Sequence, residues 1–243
     1  MALRKPHRAR WTVWPGRLVL LLVALFLLLQ LWFFAWVLIW RVSEPGPTQF
    51  MKIRLAELRQ KNPNARLQQS WMPYTRISPN LKKALIAAED SKFMQHQGFD
   101  FEGIQKAFEK NEKRGRIAAG GSTITQQLAK NLFLWPEKSL LRKGEEALIT
   151  LMIEGTWSKR RILEVYMNEI EWGTGIFGAE AASRHYFGVS AAELNEYQAA
   201  MLASMVPSPQ YYDRKGETEG LARQTEVILE RMNKVAIPPN QSK

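Results

Sequence analysis

Between Leu18 and Trp40 the chain runs for 23 residues with one polar side chain, Gln30. At about 1.5 Å per residue a helix of that length reaches roughly 35 Å, enough to cross the hydrocarbon of a bilayer. The run is apolar on every face, unlike the helices of a small soluble domain, which keep a polar side toward water. A secretory signal has a shorter apolar core followed by small residues at a cleavage site. This run ends instead in Trp36, Trp40 and Arg41, so the sequence predicts an uncleaved anchor.

Flanking charge predicts the orientation. Arg4, Lys5, Arg8, Arg10 and Arg17 precede the span and no acidic residue does, which keeps the amino terminus cytoplasmic and places everything after Arg41 outside. Trp11 and Trp14 on one side, and Trp36 and Trp40 on the other, suit the two interfaces. Setting those five charges aside from the formal +11 leaves +6 on the outer part. A basic domain beside a membrane points to anionic lipid or phosphate, and away from nucleic acid. The absence of cysteine suits an exported chain that needs no disulfide framework.

With 46% hydrophobic residues, the 243-residue chain has room for one good-sized domain and an appendage. Residues 1–17 form a basic tail, 18–40 the anchor, 41–70 a stalk and lead-in broken at Ser43-Glu44-Pro45-Gly46-Pro47 and Asn62-Pro63-Asn64, and 216–243 a carboxy-terminal helix and tail. From Trp71 to residue 215 the pattern is helical almost throughout, with no convincing run of alternating strands. Ser78-Pro79 reads as a cap with proline at the first helical position, and Leu81, Leu85 and Ala88 give that helix an apolar stripe. Ser122, Ser139 and Ser158 each precede a further helix. Ser190 with Glu193 reads as a capping box before a helix that stops at Val206-Pro207.

Chemistry is concentrated in a few segments. The helix from Ser78 ends on Glu89-Asp90, followed by Phe93, His96 and Gly98. Burial raises a carboxyl pKa and makes a glutamate a usable base near neutral pH, although an acidic pair at a helix end is also an ordinary solvated terminus. The helix after Gly120-Gly121-Ser122 carries Thr123, Thr125, Gln126, Gln127, Lys130 and Asn131 at its non-apolar positions. Neutral hydrogen-bonding groups with one cation suit a groove for sugar hydroxyls and phosphate oxygens. Arg142, Lys143 and Glu146 fall on neighbouring helix positions, as an intrahelical salt bridge or an anion clamp. Lys159, Arg160 and Arg161 open a helix at the electrostatically wrong end, which calls for an anion nearby or for Glu154 and Glu164. Between residues 99 and 119, Phe99, Phe101, Ile104 and Phe108 alternate with Lys106, Lys110, Lys113, Arg114 and Arg116, an amphipathic basic stretch suited to a membrane surface.

Taken in order, three of these segments resemble the first signature blocks of the peptidoglycan glycosyltransferases, glycosyltransferase family 51. They are Glu89-Asp90-x-x-Phe93-x-x-His96-x-Gly98, Gly121-Ser122-Thr123-Ile124-Thr125-Gln126-Gln127-Leu128-x-Lys130-Asn131 and Arg142-Lys143-x-x-Glu146. Lys159-x-x-Ile162-Leu163-Glu164-x-Tyr166-Met167-Asn168 is similar to the fourth block, with Met167 where leucine is common. Gly178 to Gly188, with Ala181-Ala182 and Tyr186-Phe187-Gly188, is similar to the fifth. Bifunctional members add a penicillin-binding domain with a serine nucleophile. No Ser-x-x-Lys occurs here and the chain is too short for that domain, so the resemblance is to the monofunctional biosynthetic branch, without transpeptidase activity.

That resemblance implies a mainly α, lysozyme-like helical domain at residues 71–215, preceded by one transmembrane helix, with residues 99–119 as a small membrane-facing lobe. The implied activity is inverting polymerisation of lipid II into linear glycan with release of undecaprenyl pyrophosphate. Glu89 is then the base at the acceptor 4-hydroxyl, and Glu146 the second catalytic carboxylate, orienting cations or holding a divalent ion, Mg or Mn. No cofactor is obligatory. Ser122, Thr123, Gln126, Gln127, Lys130, Arg142 and Lys143 would bind substrate, with Asp90, Phe93, His96 and Asn168 in support. The implied setting is a bacterial inner membrane with a periplasmic domain, alongside other wall-synthesis and division proteins. The residues themselves leave two other readings open: a lytic glycosidase on the same fold, since paired glutamates also cleave glycosidic bonds, and a catalytically silent scaffold.

Overall fold

The computed structural model describes residues 13–115, 120–137 and 139–240. Arg4, Lys5, Arg8, Arg10 and Trp11, which carry the expected orientation, lie outside the described residues, as do Arg116 and the side chains of Trp14 and Arg114. Among the described residues eleven α-helices and three very short strands make a mainly α structure.

The first helix, α1 (Val13–Trp40), contains a stretch from Gly16 to Trp40 that is long and apolar enough to cross a membrane, almost none of it buried. Its carboxy-terminal end is packed against α6 (Leu140–Thr156). Phe33 and Val37 are buried there, and Trp157 Nε1 donates to the Val37 carbonyl at 2.7 Å. Gln30 donates to Glu145 Oε1, also at 2.7 Å. Because Gln30 meets Glu145 and Val37 meets Trp157, the two helices advance in the same direction.

The basic start of α7 (Lys159–Glu169) is explained within the chain. Lys159 pairs with Glu154 at 2.8 Å and Arg161 with Glu164 at 2.6 Å. Arg161 also donates to the Trp40 carbonyl at 2.9 Å, meeting one of the acceptors that the end of α1 leaves free. No external anion is needed for these cations.

Within residues 41–70 the chain forms α2 (Gln49–Lys61), whose cap Thr48 accepts from the Met51 N–H at 3.2 Å. It packs on α5 (Ile124–Phe133). In turn α5 lies between α6 and α7, and these three bury Ile124, Leu128, Ile149, Ile153, Ile162 and Tyr166. A second group packs α3 (Pro79–Glu89), α9 (Glu196–Met205) and α11 (Glu219–Met232) together. Ala199, Ala200 and Ala203 let α9 come close while Leu81, Leu85 and Ile228 fill the space between. Each large apolar side chain fully removed from water contributes roughly 1.5–3 kcal/mol.

Two caps differ from expectation. Thr123, not Ser122, caps α5: its hydroxyl accepts from Gln126 N–H while the Gln126 side chain accepts from Thr123 N–H, a reciprocal box that leaves the Ser122 hydroxyl out of the cap. Asn195 and Gln198 form the corresponding box for α9, and Ser190 with Glu193 closes only a local turn. Ser78, Ser139 and Ser158 do cap α3, α6 and α7.

Strands β1 (Gln68–Gln69), β2 (Glu171–Gly173) and β3 (Ile176–Phe177) form a sheet of order β1-β3-β2, parallel then antiparallel. They are too short to give an alternating pattern. The remaining helices are α4 (Phe101–Arg114), α8 (Ala179–Phe187) and α10 (Pro209–Lys215). In α4 the apolar stripe Phe101, Ile104 and Phe108 faces outward, with Phe101 76% and Phe108 69% exposed.

Candidate active site

Glu89 is the last residue of α3, where the helix stops because Asp90 leaves helical geometry. Asp90 turns its carboxylate across to α5. Oδ2 accepts from the Ile124 N–H at 3.1 Å, and Oδ1 lies 2.8 Å from His96 Nε2. Asp90 and His96 therefore fix the end of α3 against the start of α5. Thr123 adds a second tie by donating to the Gly98 carbonyl at 2.7 Å. Phe93 is fully buried beneath, with Lys159 Nζ 4.6 Å from its ring centre.

Glu89 itself makes one side-chain hydrogen bond, accepting from Gln127 Nε2 at 2.7 Å. The other end of that amide accepts from the Tyr166 hydroxyl at 2.9 Å. Tyr166 is fully buried and fixes which way the amide points. Burial pushes the Glu89 carboxyl above its ordinary pKa; the Gln127 hydrogen bond opposes this, Asp90 reinforces it, and Lys130 opposes it.

One turn after Gln127, Lys130 lies within the fields of both Glu89 and Glu146. Burial lowers its pKa most, Glu146 offsets this, and Arg142 and Lys143 lower it further. The start of α6 supplies the rest of the cluster. Arg142 pairs with Glu146 Oε2 at 2.8 Å, and Lys143 bonds both Glu146 Oε1 and, at 3.0 Å, the Ser122 hydroxyl. Arg142 and Glu146 are buried, so this is no solvated surface pair. Three cations surround one carboxylate, a surplus suited to an anionic group with several oxygens.

With both oxygens held by cations, Glu146 has little left for a divalent ion. Among the described residues no group of three or more His, Cys, Asp and Glu side chains could hold a metal.

Two clefts meet at the Glu89–Gln127 hydrogen bond. One, of about 420 Å³, is lined by Gln127, Lys130, Asn131 and residues of α2, β2 and α10. The other, of about 210 Å³, is lined by Glu89, Asp90, Ser122 and Thr123, with Arg231 of α11. Gln126 does not line either cleft and is spent on the α5 cap. Asn168 is also away from the clefts. It holds the lead-in chain, accepting from Met72 N–H at 2.8 Å and donating to Met72 O at 2.9 Å.

The larger cleft adds residues that the sequence did not single out. Glu171 in β2 receives Arg54 of α2 at 2.9 Å and Gln210 of α10 at 3.2 Å. Spacings of 117 and 39 residues separate these partners, and no local pattern marks them.

A family model described as transglycosylase matches residues 55–233, which takes in every residue of both clefts except Phe50 and Arg54 of α2. The chain belongs to the transglycosylase family. The biosynthetic peptidoglycan transglycosylase of Dechloromonas aromatica is 63% identical over 225 residues, covering 93% of this chain and 97% of that one. The protein of the same name from Thiobacillus denitrificans is 57% identical, covering 95% and 99%. That from Laribacter hongkongensis is 56% identical, covering 93% and 99%. Within this transglycosylase the family match spans the base candidate, the cation cluster and the α11 arginine alike, while the apolar helix α1 precedes it.

Proposed function

We propose that the chain is a peptidoglycan glycosyltransferase that polymerises lipid II, with Glu89 as the base at the acceptor 4-hydroxyl. The observation that carries this reading is the placement of Lys130 between a carboxyl of raised pKa and a buried cation cluster. Glu89 takes the proton from the acceptor oxygen, which attacks the anomeric carbon of the growing chain on the face opposite the pyrophosphate. The configuration inverts and undecaprenyl pyrophosphate leaves. Pyrophosphate needs stabilisation of its developing charge and no proton, and Lys130, Arg142 and Lys143 supply that. Glu146 positions two of them.

A lytic glycosidase needs a protonated acid at the scissile oxygen and a second free carboxylate. The Glu146 oxygens are both bound to cations, which favours transfer over hydrolysis. The setting we infer is the outer face of a bacterial inner membrane. The exposed stripe of α4 and the exposed Leu140, Leu141 and Leu151 of α6, beside the anchor, would bring the clefts to the lipid surface. Other wall-synthesis and division proteins fit as neighbours there.

Purified full-length protein given lipid II is expected to make long glycan chains that lysozyme digests. Shortening of preformed glycan without polymerisation would overturn the proposal. Glu89→Gln is expected to abolish polymerisation with an unchanged melting temperature; retained activity would remove Glu89 from its role.

A further inference from the structure

A third cavity, of about 350 Å³, shares no lining residue with either cleft and lies between the outer end of α1 and the first turn of α2. One wall is aromatic: Trp32, Trp36 and Trp40 follow one another at four-residue spacing along α1 and face Phe133 of α5. Trp36 and Trp40 have ring centres 5.1 Å apart, and Trp40 and Phe133 5.0 Å. The opposite wall is Gly46, Pro47 and the amino end of α2, with Lys52 at the mouth. Lys52 is exposed and forms no ion pair among the described residues. The cations of the proposed reaction are absent from the lining.

Depth decides what can fill it. The apolar stretch Gly16–Trp40 has 25 residues, about 37 Å of helix against a hydrocarbon thickness of about 30 Å. Even if the whole surplus of about five residues stood on the outer side, Trp32 would remain inside the hydrocarbon. The cavity therefore opens to lipid chains at its lower end and to the headgroup layer at its upper end. At that upper end the Gln49 N–H occupies the first position of a 13-residue helix and has no helical acceptor. It and Lys52 suit a single phosphate.

We propose that this slot is a binding site for an anionic phospholipid of the outer leaflet, its acyl chain against Trp32, Trp36 and Phe133 and its phosphate at Lys52. A phosphodiester with one charge matches the one cation at the mouth. The proposal rests on the membrane placement inferred above, though not on the polymerisation chemistry.

The test uses the full chain in phosphatidylcholine nanodiscs carrying a diazirine-tagged lipid, with crosslinks mapped by mass spectrometry. Tagged phosphatidylglycerol is expected to label the segments around Trp36 and Phe133. Lys52→Ala should reduce that labelling about fivefold, the worth of one lysine near an anionic surface, while Lys52→Arg keeps it. Gly46→Phe, at a position with open space around it, should block the slot without unfolding the domain. Equal labelling by tagged phosphatidylcholine, no effect of Lys52→Ala, or labelling only by a tagged polyprenyl phosphate would each overturn the proposal. Labelling of Leu18–Leu29 reports membrane placement separately: a labelled lower anchor with an unlabelled slot defeats the slot alone.

Discussion

Gln127→Met removes the only side-chain hydrogen bond to Glu89 among the described residues while keeping the volume and helix propensity of the side chain. The bond is 2.7 Å long and favours the ionised carboxylate. Hydrogen bonds to a charged group contribute about 1.5–3 kcal/mol, and each pH unit corresponds to about 1.36 kcal/mol. Glu89 is partly exposed to its cleft, so the lower figure applies and its pKa should rise by about one unit. A base works deprotonated, so the rate falls as pH drops through that pKa, and the variant's acid limb should move to higher pH by the same amount. The assay is the initial rate of lipid II polymerisation as kcat/KM against pH, which reports the free enzyme. Tyr166→Phe provides the control: it keeps the amide donor and frees only its far end, so its limb should move less. An acid limb that stays in place, or moves down, in Gln127→Met would refute the assignment of Glu89 as the titrating base. A raised KM alongside the moved limb would make Gln127 a substrate contact as well.

Two further variants probe stability. Gly98 has φ +87°, and a Cβ there would stand 2.7 Å from Thr150 Cγ2 and 3.0 Å from Glu154 Cγ; Gly98→Ala should cost about 2–4 kcal/mol from left-handed backbone strain plus overpacking, read as a lowered melting temperature. Glu169 is buried with neither carboxyl oxygen hydrogen-bonded, and burial raises its pKa to about 9. The folded chain holds a proton that the unfolded chain has released, so this group's contribution to stability falls as pH rises from about 4.5 to about 9. Glu169→Met should therefore melt higher than wild type, with the gap widening over that range in a pH series; a gap that narrows would contradict it.

What could be seen in the sequence follows from range. The caps at Ser78, Ser139 and Ser158 are legible because the hydroxyl and the N–H it serves lie within three residues. Ser122 misleads because Thr123 beside it can do the same and has Gln126 to complete the box. Helix α2 is obscured because Phe50, Met51, Ile53, Leu55 and Leu58 spread around its circumference and only Met51 is buried. Residue types at the cation cluster are legible as a local i, i+3, i+4 pattern. Their relation to Glu89 is not, because it runs through Gln127, 38 residues away, and through Tyr166, 39 residues further. Gln30 reads as an isolated polar residue in an apolar run until its partner appears 115 residues on.

That last contact changes what the anchor is mechanically. A tether would let the catalytic body sample a range of heights and tilts above the bilayer. Here Gln30, Val37 and Trp40 are each bonded to the body, at Glu145, Trp157 and Arg161, so anchor and body turn as one piece. In the membrane setting proposed above, the clefts then keep a fixed standoff and a fixed bearing. A lipid-linked substrate of the kind proposed would reach them along the leaflet from one side.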